Sequence, residues 1–281
     1  LRSLLNTGNA LTLPISGTGS AGMETCFVNL LEQGDRVMIL SNGVFGTRMA
    51  DVAGRLGAEV ESMEFEWGTP VDPQLVASHL RENQYDLIAV VHAETSTGVL
   101  NPVEEIGKLV RENGALFLVD SVTGLGGMPV HLDQWGVDAF YSGTQKCLSC
   151  PPGLSPVSFS ARAAEKIQSR KSRVPNWYLD LNLICGYWSG EAGTKNSKRA
   201  YHHTAPINMN YALYAALREV LIEGTDAVFD RHLAAHRQLV EGLEDRGLSM
   251  LVKSPHRLPM LNAVKVPQGV DEAAVRSKLL D

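Results

Sequence analysis

Residues 86 to 120 read DLIAVVHAETSTGVLNPVEEIGKLVRENGALFLVD and hold one strand, one helix and a second strand in succession. "DLIAVV" (86–91) and "ALFLV" (115–119) are unbroken apolar runs of strand length, as in strands buried on both faces. Between them "NPVE" reads as a helix start, with Asn101 as N-cap, Pro102 at the first helical position and Glu104 in capping-box position. Two parallel strands need such a crossover, so the unit predicts a parallel sheet covered by helices. Working outward, "RVMIL" (36–40), "AEVESM" (58–63) and "DAFYS" (138–142) are further strands. "DPQL" starts another helix, with Asp72 as N-cap and Pro73 at the first helical position. After residue 160 the alternation stops. Two long helical patterns follow over 207–222 and 226–245, the second closed by Gly247. "MLNAVKVP" (260–267) then reads as a strand and "VDEAAVRSKLLD" (270–281) as a helix without a stop signal, so the chain is expected to be cut short. No internal repeat or long linker is evident.

Composition sets the limits. With 281 residues, 44% hydrophobic and 20% charged, the chain has enough apolar surface for one large domain or two modest ones. A net charge of −6, from 25 Lys+Arg against 31 Asp+Glu, leaves no basic footprint for nucleic acid or an anionic membrane, and small molecules are the expected partners. No apolar run is long enough to span a bilayer and "LRSLLNTGNA" is no signal peptide, which reads as a soluble, intracellular protein. Cys26, Cys147, Cys150 and Cys185 form no disulfide framework. The Cys147/Cys150 CxxC lacks the second half of a zinc site, so buried thiols in a tight loop are preferred over a redox or metal role.

Ligands of open parallel sheets sit beyond the carboxyl ends of the strands. Four such places carry chemistry. After "LTLPI" comes "SGTGSAGMET" (16–25), a Gly-rich turn entering a helix, whose free N–H groups, helix dipole and Thr18 and Ser20 hydroxyls suit a phosphate; the plainer reading is a packing turn. After "DLIAVV" comes "HAETSTGV" (92–99), where His92 reads as a satisfied buried histidine and not a base. After "ALFLV" comes "DSVTGLGG" (120–127), where Asp120 needs a partner or serves as a cap. After "DAFYS" comes Lys146, set among small residues in "YSGTQKCLSCPPG" (141–153). A phosphate cradle, a carboxylate and a lysine at one sheet edge are what pyridoxal phosphate asks for: a phosphate anchor, a partner for the protonated pyridine nitrogen and a Schiff-base amine.

"SGTGSAGMETCFVNLLEQGD", "NGVFGTR", "HAETSTGVL", "LFLVDSVTGLGG", "YSGTQK", "PPGLSPVSFS" and "YHHTAPI" together resemble, in order and spacing, the class V aminotransferases of fold type I, most closely the alanine–glyoxylate and serine–glyoxylate group. The resemblance covers essentially the whole chain. It implies an α/β fold: a large domain (1–245) with a mainly parallel seven-stranded sheet covered by helices, and the beginning of a smaller C-terminal α+β domain (246–281). It implies pyridoxal 5'-phosphate as cofactor, with Lys146 as Schiff-base lysine and general base, and Asp120 at the ring nitrogen. Thr18, Gly19, Ser20 and Gln145 would lie at the phosphate, Phe45 would stack on the ring in place of the more common tryptophan, Val122 would pack on its other face, and Thr95 would lie on its phenolic side. Tyr201 and Thr204 would reach the phosphate of a neighbouring subunit, which implies a homodimer with shared sites.

The implied activity is transamination between a small amino acid, alanine or serine, and glyoxylate, giving a keto acid and glycine by a ping-pong mechanism. The family's carboxylate-binding arginine is expected beyond Asp281, since Arg257 and Arg276 lie too early to match it, and an N-terminal arm is expected before Leu1. The compartment expected is the cytoplasm, with peroxisomal or mitochondrial targeting left open. Plainer readings are a surface lysine at 146, an ordinary core residue at Phe45 and a polar interface segment over 201–203. Rival activities are a ureidoglycine–glyoxylate or phosphonate-linked aminotransferase, a lyase or a desulfurase, and a non-catalytic homologue. Cys147, directly after the lysine, is badly placed for a desulfurase, and the ureidoglycine enzymes carry asparagine where this chain has Tyr201.

Overall fold

The computed structural model describes residues 1–188 and 200–280. Its strands are β1 (Leu11–Ser16), β2 (Arg36–Ser41), β3 (Glu59–Glu64), β4 (Leu87–Val91), β5 (Ala93–Glu94), β6 (Val99–Leu100), β7 (Leu116–Asp120), β8 (Ala139–Tyr141) and β9 (Leu154–Phe159). The helices are α1 (Arg2–Leu5), α2 (Gly19–Leu30), α3 (Val44–Arg55), α4 (Pro73–Leu80), α5 (Val103–Asn113), α6 (Leu132–Trp135), α7 (Ala161–Gln168), α8 (Leu181–Trp188), α9 (Ile207–Glu223), α10 (Thr225–Glu244) and α11 (Glu272–Leu280). Seven strands form one sheet in the order β1-β9-β8-β7-β4-β2-β3, and β5 pairs with β6 in a short ribbon. The sheet is parallel from β3 through β8, and β9 runs antiparallel to both of its neighbours. Among the described residues no helix is long and apolar enough to cross a membrane.

Strand parity divides the core. Val37 and Ile39, Leu87 and Ala89, Leu116 and Leu118, and Ala139 face one layer with α2, α3, α7 and α8. The alternate residues Met38, Leu40, Ile88, Val90, Phe117, Val119 and Phe140 face the other, with α1, α4, α5 and α9. Because strand side chains alternate, Asp120 at the end of β7 falls in step with Leu116 and Leu118, on the α2 side. β9 was not among the expected strands, since "LSPVSF" mixes serine and proline with apolar residues. Pro156 is tolerated because its carbonyl turns to β8 and accepts from Ser142 N at 2.8 Å, which leaves Pro14 and Pro156 as a pair that needs no bond from either nitrogen.

Two local expectations are corrected. Asp72 caps α4 through Gln74 N at 2.8 Å, but Asn101 does not cap α5, which begins at Val103 with Pro102 in the cap position. The Asn101 amide is drawn inward instead. It bonds Asn42, Val71 N and Val91 O at 2.7 to 2.9 Å and ties three loops together, while Glu104 pairs with Lys108. The expected strand over 260–267 is reduced to bridges: Leu251 N and Lys265 N bond Ala263 O and Ser249 O, and beyond that no strand runs beside the segment among the described residues.

Candidate active site

β1, β2, β4, β7 and β8 all point the same way, so their carboxyl ends deliver residues 16–20, 42–48, 92–97, 120–123 and 142–146 to one sheet edge. A cavity of about 160 Å³ opens there, lined by Thr18, Gly19, Ser20, Phe45, Thr95, Asp120, Val122, Gln145 and Lys146, together with Met23, Arg48, Val91, Ala93 and Tyr141. Nine of the eleven residues singled out from the sequence therefore meet in one place. Tyr201 and Thr204 do not. They lie outside this cavity, hydroxyl to hydroxyl at 3.0 Å, with Tyr201 74% exposed.

The floor is the start of α2. Gly17 has φ of 153°, rarely adopted by residues with a side chain, and a Cβ there would lie 2.5 Å from Ala21 Cβ. Thr18 takes the cap position with no side-chain cap bond, and Thr18, Gly19 and Ser20 at this helix start line the cavity. A Cβ on Gly22 would fall 1.9 Å from Ser155 Oγ, so only glycine lets this helix lie so close to the sheet.

Asp120 forms one wall. It is buried, and its oxygens accept from Val122 N at 2.7 Å and from the Tyr141 hydroxyl at 2.6 Å, the residue opposite it in the β7–β8 register. Burial pushes its carboxyl up to about 6 against the pull of these two donors. Among the described residues no cation pairs with it. A carboxyl bound only by neutral donors at a cavity wall suits an N–H⁺ placed in that cavity.

Lys146 is exposed in the turn after β8, which Thr144 fastens by bonds from its hydroxyl to Pro151 O and Leu154 O. It lines both this cavity and a neighbouring one of about 870 Å³, as does Thr95, whose hydroxyl meets that of Thr123 at 2.5 Å. His92 is fully buried beneath, with Nδ1 3.0 Å from Ser121 Oγ and its ring edge-on to Trp135, and burial lowers it to about 4. The CxxC thiols bond backbone carbonyls: Cys147 that of Thr123 and Cys150 that of Ala212.

Of the five lining residues not expected from the sequence, two carry polar groups, Tyr141 and Arg48. Tyr141 stands in the sequence as a strand end and the first residue of "YSGTQK" with no role of its own, and its strand-end position opposite Asp120 is the signal. Arg48, at the end of "NGVFGTR", stands with its guanidinium 4.9 Å from the centre of the Phe45 ring, one helical turn away.

Comparison with known proteins bears on this geometry. The family model "Aminotransferase class-V" matches residues 1–281. The chain is 38% identical to an alanine–glyoxylate aminotransferase of Mus musculus over 282 residues, covering 100% of this chain and 67% of that protein. It superposes on an alanine–glyoxylate aminotransferase of Nostoc sp. with a TM-score of 0.95 at 48% identity, covering 100% of this chain and 73% of that one. A ureidoglycine–glyoxylate aminotransferase of Bacillus subtilis superposes with a TM-score of 0.94 at 37% identity, covering 100% and 70%. The chain thus spans about two thirds to three quarters of the length of these relatives.

Proposed function

This chain belongs to the class-V aminotransferases, and from that membership we propose that the complete protein transfers the amino group of alanine or serine to glyoxylate at the cavity between α2, β7 and Lys146. The observation that carries the site assignment is the meeting in one cavity of an exposed lysine, a buried carboxyl that forms no salt bridge among the described residues, and an uncapped helix start.

Pyridoxal phosphate is the cofactor this family uses, and when bound it supplies a ring that accepts electrons from the amino acid's Cα. The residues present fit it. The uncapped start of α2 with Thr18 and Ser20, together with Gln145, would take the phosphate, and Phe45 and Val122 would enclose the ring. Thr95 would lie at the phenolic side. Asp120 would keep a proton on the ring nitrogen, and the Tyr141 hydroxyl and Val122 N–H hold that carboxyl in place. Lys146 would hold the aldehyde, and its amine would serve as the group that moves the Cα proton, general base and then acid. Departure of the keto acid before glyoxylate enters makes the kinetics ping-pong.

Tyr201 and Thr204 are read as reaching the phosphate of a neighbouring copy, which is supported by their exposure and by the uncovered Tyr211, Tyr214, Leu221 and Ile222 of α9. Residues 1–245 are read as the large domain and 246–281 as the beginning of a smaller one; the division is supported by α10 ending at Glu244 and by α11 burying none of its residues. The Bacillus subtilis relative favours ureidoglycine as the alternative donor.

The test is the visible spectrum of the complete protein with pyridoxal phosphate. A band that needs Lys146, bleaches with L-alanine and returns with glyoxylate is expected. A band unchanged in Lys146→Ala overturns the lysine's role, and bleaching by ureidoglycine but not by alanine or serine selects the alternative.

A further inference from the structure

The phosphate loop is rich in glycine, and beyond the bond from Gly17 N to Gly153 O the residue that opens it is gripped by side chains from outside. Ser16 is the last residue of β1. Its carbonyl accepts from the Tyr178 hydroxyl at 3.0 Å, and its Oγ lies 2.7 Å from His203 Nε2. His203 is in turn held: its Nδ1 stands 2.8 Å from Nδ1 of His202, whose Nε2 lies 3.1 Å from Trp177 O. His202 is buried and stacks on the Trp177 ring with centroids 4.2 Å apart.

These contacts determine the protons. A carbonyl only accepts, so His202 carries its hydrogen on Nε2 and, as a neutral ring, offers a lone pair at Nδ1. The bond between the two Nδ1 atoms then needs the hydrogen of His203, which leaves His203 Nε2 as an acceptor. Ser16 Oγ–H must therefore donate to His203. Burial and the neighbouring His202 lower the affinity of His203 for a second proton, which favours this state.

We propose that His203 is a positioning residue: with Tyr178 it clamps Ser16 and so holds the loop 16–20 in the form that receives a phosphate. Glycine loops lose much freedom on ordering, so a clamp that restricts the loop beforehand raises affinity without touching the ligand. The same strand of chain, 201–204, carries Tyr201 and Thr204. The proposal rests on the reading of residues 18–20 as the phosphate site.

The test uses the complete protein and two readouts, pyridoxal phosphate dissociation constants and amide hydrogen exchange over 16–20 without cofactor. His203→Leu and Ser16→Ala are each expected to weaken binding about fivefold to tenfold, the loss of one hydrogen bond, and to speed exchange. His203→Gln, which restores an acceptor, is expected to recover most of both. The double variant is expected to match either single one, because both remove the same bond. Additive losses, or exchange and affinity unchanged in Ser16→Ala, overturn the clamp. Wild-type protein that takes no pyridoxal phosphate overturns the cofactor reading, and exchange alone then decides the clamp.

Discussion

Asp120 and His92, adjacent at the ends of β7 and β4, are both shifted by burial toward their neutral forms, and they respond to pH in opposite directions. Asp120 binds its proton more tightly folded than unfolded, so its contribution to stability is full below 3.8 and is lost as pH rises through about 6. His92 binds its proton less tightly folded, so its contribution is full above 6.5 and is lost as pH falls through about 4. Each corresponds to about 3 kcal/mol, and in the cofactor-free protein the two largely offset each other between pH 4 and 6. Urea unfolding of single variants exposes the slopes. Asp120→Asn is expected to gain on the wild type as pH rises across this window, and His92→Phe to gain as pH falls. A difference that stays flat with pH would show that neither group titrates as described. The candidate pair Lys146 and Asp120 was legible from sequence because Asp120 ends one apolar strand and Lys146 stands in the turn after another. Tyr141 and Arg48 were not, since an aromatic in a strand and a basic residue in a helix look like ordinary core and surface until register and helix phase are known.

At the scale of elements, the two Asx residues read alike in sequence but differ in energy. Asp72 makes one cap bond at an exposed helix start, and Asp72→Ala is expected to cost about 1 kcal/mol. Asn101 makes buried bonds to Asn42, Val71 N and Val91 O, and Asn101→Ala is expected to cost about 3 kcal/mol or more, because it strands those buried partners. Thermal or urea denaturation of the two variants distinguishes the roles, and equal losses would contradict them. The pattern N-P-x-E is local and cannot reveal a tertiary partner 59 residues away, which is why the helix start was misplaced by a residue. β2, β4 and β7 were legible because both faces are buried and their runs are unbroken. β9 was hidden because prolines and serines are admissible where carbonyls, not N–H groups, meet the neighbouring strand.

For the whole molecule, the uncovered tyrosines of α9 set an expectation about assembly. Tyr211 and Tyr214 are 72% and 68% exposed, and with Ile222 they form an apolar surface that a second copy would bury. Sedimentation equilibrium of the complete protein is expected to return twice the subunit mass. If Tyr201 and Thr204 serve a neighbouring copy as proposed, Tyr211→Glu combined with Tyr214→Glu is expected to give monomers whose affinity for pyridoxal phosphate falls at least about tenfold. Monomers that bind as well as the dimer would reject shared sites while leaving Lys146 and Asp120 in their roles.

The pairing of β1 with β9 orders events during synthesis. β1 hydrogen-bonds to no other strand of the sheet, and its partner lies roughly half the chain away, so loop closure must precede any gain from that contact. During synthesis β1 thus waits unseated until β9 emerges and joins β8. The loop at 16–20 inherits that delay, and with it the ability to capture the cofactor. In refolding experiments, cofactor fluorescence quenching is expected to lag behind protection of the β4 and β7 amides; simultaneous appearance would indicate that β1 docks early. Cofactor capture in this protein is therefore a reporter of one long-range closure of the chain, that of β1 on β9.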